Sequence, residues 1–151
     1  MLQTGMGYEL SQVNSLVAER NNYIAEVTEG IHKLGFDCII LPGMATPAVR
    51  NYKNKDALMQ VVYTAFWNYL NFPVGSVQIT KARKEEEHYE SKFTDPTTSE
   101  LRENMQGSCG LPVGIQVAGL PWKDEKVLGI MQYVENLLNM KGVNLPNELA
   151  L

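Results

Sequence analysis

The sequence predicts an α/β fold in which about three short strands are covered by helices. Apolar residues recur at helical spacing in two long segments, and three short apolar or alternating runs lie between glycine and proline breakers. The helical and strand segments alternate along the chain, which is typical of helices packed on a sheet. Three strands are few for 151 residues and leave at least one strand edge exposed, so we expect a sheet that is incomplete on its own.

The first half of the chain predicts two helices and one strand. Apolar residues at helical spacing predict a long amphipathic helix over residues 8–34, which Gly35 ends as a C-terminal cap. The apolar run over residues 37–42 lies between a glycine and a proline, which predicts a buried strand and favours parallel pairing. After a loop, Asp56 is placed to cap a second helix that continues to about Leu70.

The middle of the chain predicts a strand, a charged loop and a short helix. Residues 76–80 alternate in polarity and predict the second strand. The dense run of mixed charges over residues 81–90 predicts a solvated loop. Irregular structure is expected over residues 91–97, and Thr98 is expected to cap a short helix that continues to about Gln106.

The last part of the chain carries the clearest amphipathic pattern. Residues 111–118 predict the third strand, and Asp124 is expected to begin the last helix, with Gly142 as its cap. Residues 1–7 and 143–151 show no periodicity and are expected to be loosely ordered tails. The apolar face of the last helix is predicted to consist of Val127, Ile130, Met131, Val134, Leu137 and Leu138.

Composition and charge exclude several classes of protein. The net charge is −4 and the basic residues are scattered, so no basic face predicts a nucleic-acid partner. No segment has the roughly 20 apolar residues of a spanning helix, and the first residues lack the pattern of a signal peptide. Two cysteines without such a signal favour a reducing compartment. We therefore expect a location that is cytoplasmic or peripheral to an intracellular membrane.

Few residues suggest catalysis or metal binding. The turn-like Gly107-Ser108-Cys109-Gly110 could present a nucleophile, but no base is identifiable nearby, so a structural turn is favoured. His32 and His88 have no second ligand at metal spacing and are interpreted as surface residues. The run Glu85-Glu86-Glu87 is interpreted as a solvated face. We assign no catalytic residue, no metal ligand and no cofactor.

Glycines and aromatic residues give two weaker signals. The glycines between residues 110 and 119 do not begin a helix after a strand in the dinucleotide-binding register, which excludes a phosphate cradle. Tyr63, Phe66 and Trp67 could line an apolar ligand channel, but aromatic residues at this spacing more often belong to a core. Trp122 follows a proline at a strand end and is interpreted as a packing residue.

Several short segments carry a family resemblance through their order and spacing. They are residues 34–42, Thr46-Pro47-Ala48, Tyr63-Thr64, residues 67–75, Gly110-Leu111-Pro112-Val113, Gln116 and Leu120-Pro121-Trp122. Together they resemble the C-terminal part of the amidase signature family, and most of all its fatty-acid amide hydrolase branch. The resemblance covers roughly residues 8–138, and the segment Asn71-Phe72-Pro73-Val74-Gly75 and the Gly110 segment give it most of its specificity.

The resemblance implies the fold of the chain and also implies that the catalytic triad of the family is missing from it. The fold would be part of a mixed-sheet α/β/α amidase fold, with residues 8–142 as the C-terminal portion of an amidase domain. The family uses a Ser–Ser–Lys triad whose motifs lie upstream of the matched part, and this sequence has no Gly-Gly-Ser-Ser-Gly run. By position, Leu58, Val61 and Thr97 would line a substrate channel, although Asp56 and Leu58 depart from the arginine and threonine usual in the branch.

The function implied is that of a segment of a hydrolase. The whole enzyme would hydrolyse fatty-acid amides, such as N-acylethanolamines and primary fatty amides, to free fatty acid and amine, and the isolated chain is expected to be inactive. A non-catalytic truncated product that binds lipid or a protein partner is one alternative. A segment of an amidase for small amides is another. A fatty-amide substrate, a membrane surface contacted through the missing part and a homodimer are the partners considered for the full enzyme.

Overall fold

The computed structural model describes residues 7–51 and 58–140. The chain divides into two compact units, Met1–Phe36 and Asp37–Leu151. In chain order the helices and strands are α1 (Leu10–Lys33), β1 (Ile39–Pro42), α2 (Val62–Leu70), β2 (Val74–Lys81), α3 (Pro96–Met105), β3 (Pro112–Ala118) and α4 (Asp124–Met140). Two 3-10 turns, Leu58–Val61 and Lys84–Glu86, precede α2 and follow β2. The α/β class with about three strands is confirmed.

The first unit contains α1, which begins and ends with recognisable caps. The backbone N–H of Glu9 donates to Gln12 Oε1 at 2.9 Å, as in a capping box. The helix ends at Lys33, and Gly35 follows with a φ of 69°, a backbone conformation that glycine adopts without steric cost. The helix predicted over residues 8–34 is therefore confirmed, with Gly35 as its end.

The sheet of the second unit is antiparallel and has the order β1-β3-β2. Ile39 of β1 pairs with Ala118 of β3, and Val74 of β2 pairs with the same Ala118 from the other side. The parallel pairing favoured for β1 is therefore wrong. An apolar run predicts burial but carries no information on direction, and the side chains of β1 in fact alternate between half-buried and exposed.

One face of the sheet is covered by α4, which packs against β2 and β3. Two glycines allow this close approach. A Cβ added at Gly75 would lie 2.0 Å from Met131 Sδ, and one added at Gly119 would lie 2.4 Å from Val127 Cγ2. The predicted apolar face of α4 is buried or half-buried except for Leu137, which is exposed.

The helix α2 ends where the resemblance segment Asn71-Phe72-Pro73 begins. Asn71 has a φ of 55°, which is the left-handed conformation that commonly ends a helix, and the N–H of Phe72 donates to the carbonyl of Trp67 at 3.2 Å. Leu70 is fully buried, and Trp67 and Phe72 are buried beside it. The predicted end at Leu70 is confirmed, whereas the predicted cap Asp56 lies outside the described residues.

The cap of α3 differs from the prediction. Asp95 is the N-cap: its carboxylate accepts from the N–H of Thr98 at 3.0 Å and from the Thr98 hydroxyl at 2.6 Å. These two hydrogen bonds, first the hydroxyl and then the backbone N–H, lower the pKa of Asp95. Thr98 is therefore not the cap but a buried residue of the first turn, and Pro96 begins the helix, where its missing N–H costs nothing.

The turn between β3 and α4 places a large side chain in water. The N–H of Lys123 donates to the carbonyl of Leu120 at 3.2 Å, and Trp122 between them has a φ of 63°. Proline followed by a residue of positive φ fits a type II turn. Trp122 is 91% exposed, so its interpretation as a packing residue is wrong.

Three further predictions, besides the cap at Asp56, fall wholly or largely outside the described residues. These are the cap at Gly142 and the loosely ordered tails over residues 1–7, of which only Gly7 is described, and 143–151. Among the described helices, none has both the length and the apolar character that a membrane span requires.

Candidate functional site

A cavity of about 680 Å³ lies on the sheet face opposite α4. It is lined by the loop of residues 43–48 after β1, by one side of α2, and by parts of β2 and β3. Ser76 and Gln116 pair across β2 and β3 and therefore share this face of the sheet, whereas Gly75 and its partner Val117 share the face toward α4. The cavity belongs wholly to the second unit.

Trp67 forms a buried wall of the cavity. It lies in the last turns of α2, where the helix end at Asn71 directs Phe72 back against it. The ring centroid of Trp67 is 5.1 Å from that of Phe66, in an edge-on arrangement, and 5.9 Å from that of Phe72. The indole N–H of Trp67 is buried and has no hydrogen-bond partner among the described residues. Such a donor is costly unless something accepts from it.

Gln116 joins the parts of the cavity to one another. Its side-chain N–H group donates to the carbonyls of Pro42 at 2.9 Å, Tyr63 at 3.1 Å and Gly43 at 3.3 Å. The side chain is 4% exposed, so these hydrogen bonds lie out of competition with water. One amide on β3 thus holds the end of β1, the loop after it and α2 in a common arrangement.

A second buried polar pair borders the cavity. The hydroxyl of Thr46, in the loop after β1, donates to Gln60 Oε1 at 3.0 Å. Both side chains are buried, and the Nε2 group of Gln60 has no hydrogen-bond partner among the described residues. Among the described residues, therefore, neither the Gln60 amide nor the Trp67 indole has an acceptor for its N–H donor.

The charge at the cavity comes from Glu86. Arg83 binds its carboxylate, with Nη2 at 2.6 Å from Oε1 and the Arg83 backbone N–H at 2.8 Å from Oε2. These contacts, first the side-chain hydrogen bond and then the backbone one, hold the pKa of Glu86 below its usual value. Among the described lining residues Glu86 is the one ionisable group, so the cavity has a negative charge on its wall and no cation.

The described cavity lining carries several hydroxyl groups. The hydroxyls of Thr46, Thr64 and Ser76 line the cavity, but the described lining contains no imidazole, amine or thiol that could activate them. Glu86 is already engaged by Arg83. In the described parts of the chain, no three His, Cys, Asp or Glu side chains gather to hold a metal ion.

The residues predicted to line a substrate channel are Leu58, Val61 and Thr97. Leu58 and Val61 begin and end the 3-10 turn before α2, and the Val61 side chain is exposed. Thr97 lies in the first turn of α3 and is also exposed. Neither Val61 nor Thr97 is among the described lining residues. Their place in a substrate channel stays a prediction, and the side chain of Leu58 lies outside what the structure describes.

The turn around Ser108 and the two histidines were the other residues considered for catalysis or metal binding. Gly107 and Gly110 have positive φ values and bracket a turn, inside which Ser108 is fully buried. The N–H of Cys109 donates to Glu87 Oε1 at 3.0 Å, which fastens this turn to the charged loop. The Lys84 side chain and this N–H, in that order, lower the pKa of Glu87. His32 and His88 are both exposed.

One protein-family profile matches most of the chain. The sequence profile described as Amidase matches residues 3–128. The chain belongs to the amidase family. Residues 3–128 include every described residue that lines the cavity and end within α4.

Curated relatives of this amidase-family chain are known in animals. Fatty-acid amide hydrolase 1 of Sus scrofa is 36% identical over 109 residues, which cover 70% of this chain and 19% of the relative. Fatty acid amide hydrolase 1 of Caenorhabditis elegans is 28% identical over 138 residues, which cover 89% of this chain and 24% of the relative. The chain thus spans about a fifth to a quarter of the length of these proteins.

A solved structure shares the fold. A structure of fatty acid amide hydrolase matches with a TM-score of 0.62 and 23% identity, over 87% of this chain and 24% of that one. The sequence had pointed to several cavity residues without assigning them there. Thr46-Pro47-Ala48, Trp67 and Gln116 all belong to the segments that carry the family resemblance, but a linear pattern does not show that they surround one space.

Proposed function

We propose that this amidase-family chain is the C-terminal segment of a serine hydrolase that hydrolyses fatty-acid amides to free fatty acid and amine. The observation that carries the proposal is the 36% identity to a protein named fatty-acid amide hydrolase 1. The match to a structure of fatty acid amide hydrolase over 87% of this chain supports the same fold.

The segment would supply scaffold rather than reacting groups. Among the described residues, its cavity lining has hydroxyls and one carboxylate, Glu86, which Arg83 binds. Its sequence has no Gly-Gly-Ser-Ser-Gly run that could hold a Ser–Ser–Lys triad. We therefore propose that the nucleophile lies elsewhere in a longer protein and that the chain of 151 residues is inactive by itself.

The proposal is tested by comparing two lengths of protein. An immunoblot of source tissue, with an antibody against residues 81–90, measures the mass of the native species. A species much heavier than 16.9 kDa is expected. That species and the short chain are then assayed for release of fatty acid from a primary fatty amide and an N-acylethanolamine. Hydrolysis by the long form alone supports the proposal. Hydrolysis by the short chain, or by neither, contradicts it.

A non-catalytic product that binds lipid or a protein partner is the second candidate function. The exposed apolar side chains favour it, since Ile40 of β1 and Leu128 and Tyr133 of α4 are all more than half exposed. A native species of 16.9 kDa without hydrolytic activity would support this candidate over the first.

A further inference from the structure

We propose that residues 43–50 form a gate at the cavity and that Arg50 holds this gate closed against the end of α3. We call residues 43–50 the cavity loop. The inference goes beyond the proposed function, because it concerns access to the cavity and requires neither a reacting group nor a particular ligand. It would hold for the short chain whether or not a longer form hydrolyses amides.

Buried hydrogen bonds hold the beginning of the cavity loop. The Gln116 side chain donates to the carbonyls of Pro42 at 2.9 Å and Gly43 at 3.3 Å. The Thr46 hydroxyl donates to Gln60 Oε1 at 3.0 Å. The Thr46, Gln60 and Gln116 side chains are buried, so water does not compete for these hydrogen bonds. This part of the loop is therefore a fixed point about which the rest can turn.

One exposed side chain holds the other end of the cavity loop. Arg50 Nη2 donates to the carbonyl of Gln106 at 2.6 Å. Gln106 is the C-cap of α3, and the last carbonyls of a helix carry a partial negative charge that attracts a cation. Arg50 is exposed to solvent, so water competes for this contact, and breaking it costs less than breaking a buried hydrogen bond.

The backbone of the cavity loop contributes little to holding it in place. None of residues 44–51 forms a backbone–backbone hydrogen bond with another described residue. Met44 and Ala48 are also exposed. Segments with few buried contacts and few backbone hydrogen bonds open locally at a small cost in free energy, while the rest of the fold stays intact. The Arg50 contact is therefore the main barrier to opening at this end of the loop.

The Arg50 contact joins two walls of the cavity. Ala48 of the cavity loop and Met105 at the end of α3 both line the cavity, and Gln106 directly follows Met105. When Arg50 releases Gln106, the loop is free to turn about its fixed part and to carry Ala48 away from Met105. The cavity is then wider, and a molecule can enter between the loop and the end of α3.

Proteolysis measures how often the gate is open. Thermolysin cleaves before apolar residues such as Val49 only when the loop leaves its folded position, so the cleavage rate follows the population of the open form. Arg50→Gln replaces the cation with a neutral amide. Cleavage before Val49 is therefore expected to be about threefold to tenfold faster in this variant.

The dependence of cleavage on urea separates a local opening from unfolding of the whole unit. Unfolding exposes much surface and is promoted steeply by urea, whereas opening of a loop exposes little. Cleavage before Val49 is expected to change by less than about twofold between about 0 and 1 M urea. Cleavage before Val117, in the middle strand of the sheet, is expected to rise on the order of fivefold or more over the same range.

Arg102→Gln is the matched control. Arg102 Nη2 also donates to main-chain carbonyls, those of Ser91 at 2.6 Å and Phe93 at 2.8 Å, and these contacts do not involve the cavity loop. They persist whether the gate is open or closed. Cleavage before Val49 is therefore expected to stay within about twofold of the original rate in this variant.

A cysteine on the opposite wall reports whether the cavity widens. In a protein that carries Cys38→Ser and Cys109→Ser, the substitution Met105→Cys provides a single thiol at the cavity. Alkylation of this thiol by iodoacetamide is expected to be at least about twofold faster with Arg50→Gln than without it, since the loop then spends more time away from α3. The proteolysis needs no added cysteine, so it decides the proposal even where Met105→Cys lowers stability.

Four outcomes would overturn the proposal. The first is cleavage before Val49 that Arg50→Gln leaves unchanged. The second is cleavage before Val49 that matches cleavage before Val117 in rate and in its response to urea, which a chain that does not fold would also give. The third is an equal effect of Arg102→Gln and Arg50→Gln. The fourth is alkylation at residue 105 that Arg50→Gln leaves unchanged. Hydrolysis by the long form is measured separately, so this proposal and the proposed function can fail independently.

Discussion

Gln116 is the residue on which the geometry around the cavity depends most directly. Its amide reaches three carbonyls that belong to β1, to the loop after it and to α2. Helix and strand patterns do not predict such a contact, because it joins residues far apart in the sequence. The family resemblance singled out Gln116 but gave no reason for its presence, and the structure supplies that reason.

Removing this amide should destabilise the second unit. Gln116→Leu keeps the bulk of the side chain but leaves buried carbonyls without a donor, at an expected loss of about 1–3 kcal/mol in the free energy of unfolding. Urea unfolding measures the loss. Gln132→Leu, on the exposed surface of α4, is the matched control and should change little. If the two substitutions change the free energy of unfolding equally, the hydrogen bonds of Gln116 do not contribute to stability.

Two wrong predictions at single residues have the same origin. Both Asp95 and Thr98 have side chains suited to cap α3, and the choice depends on which one lies outside the first turn. Trp122 occupies the turn position with a positive φ and is exposed, neither of which its residue type suggests. Residue types thus predicted that α3 has an N-cap, but the backbone geometry decided which side chain provides it, and it also decided where the Trp122 side chain lies.

At the scale of elements, the contact of α4 with the sheet depends on small residues. The sequence predicted α4 and both of its partner strands, because periodicity is a local property. It did not predict that Gly75 and Gly119 are the places of closest approach, since this depends on how the helix crosses the strands. Gly119, whose register excludes a phosphate cradle, is one of the two glycines that permit this packing.

Adding a methyl group at that contact should be costly. A Cβ at Gly119 would lie 2.4 Å from Val127 Cγ2, and the β-branched Val127 cannot easily turn away, so Gly119→Ala should destabilise by about 1–3 kcal/mol. Gly129→Ala is the matched control, because nothing lies within 4 Å of its added Cβ. Because Gly129 lies inside a helix, Gly129→Ala should instead raise the free energy of unfolding by about 0.5–1 kcal/mol.

A double-mutant cycle checks the cause. If the clash is with Val127, then Val127→Ala should cost less in the Gly119→Ala background than in the original protein. Urea unfolding of the four proteins gives the coupling. If the two effects are additive, the destabilisation by Gly119→Ala does not come from a clash with Val127.

At the scale of the whole molecule, the described sheet ends at two strands with free edges, β1 and β2. The expectation of at least one exposed strand edge came from counting strands, and the described sheet confirms it. The sequence could not predict the direction of strand pairing, because the antiparallel partner of β1 is β3, which lies far along the chain. Likewise the cavity is lined by the loop after β1, by α2 and by parts of β2 and β3, which are far apart in the sequence, so no local pattern could predict it.

Two cross-strand neighbours should respond differently to the same kind of change. Ile40 and Val117 pair on the face toward α4, but Ile40 is 55% exposed and Val117 is fully buried. Val117→Thr should destabilise by about 1–3 kcal/mol, because it buries a hydroxyl without a partner. Ile40→Thr should change the unfolding free energy by no more than about 0.5 kcal/mol.

The exposed partner should instead affect association. Binding of a fluorescent hydrophobic dye such as anilinonaphthalene sulfonate should fall in Ile40→Thr, because the substitution removes part of an uncovered apolar surface. A large loss of stability in Ile40→Thr would mean that something in the chain covers this residue.

The strand order also determines when each strand can find its partner during translation. β3 lies between the other two strands in the sheet but leaves the ribosome last, so neither β1 nor β2 has its partner when it emerges. At typical elongation rates, β1 waits on the order of 4–15 s for residues 115–118. During that interval its apolar side chains have no sheet to join. The yield of correctly folded protein should therefore depend on chaperone occupancy during translation as well as on the stability of the finished fold.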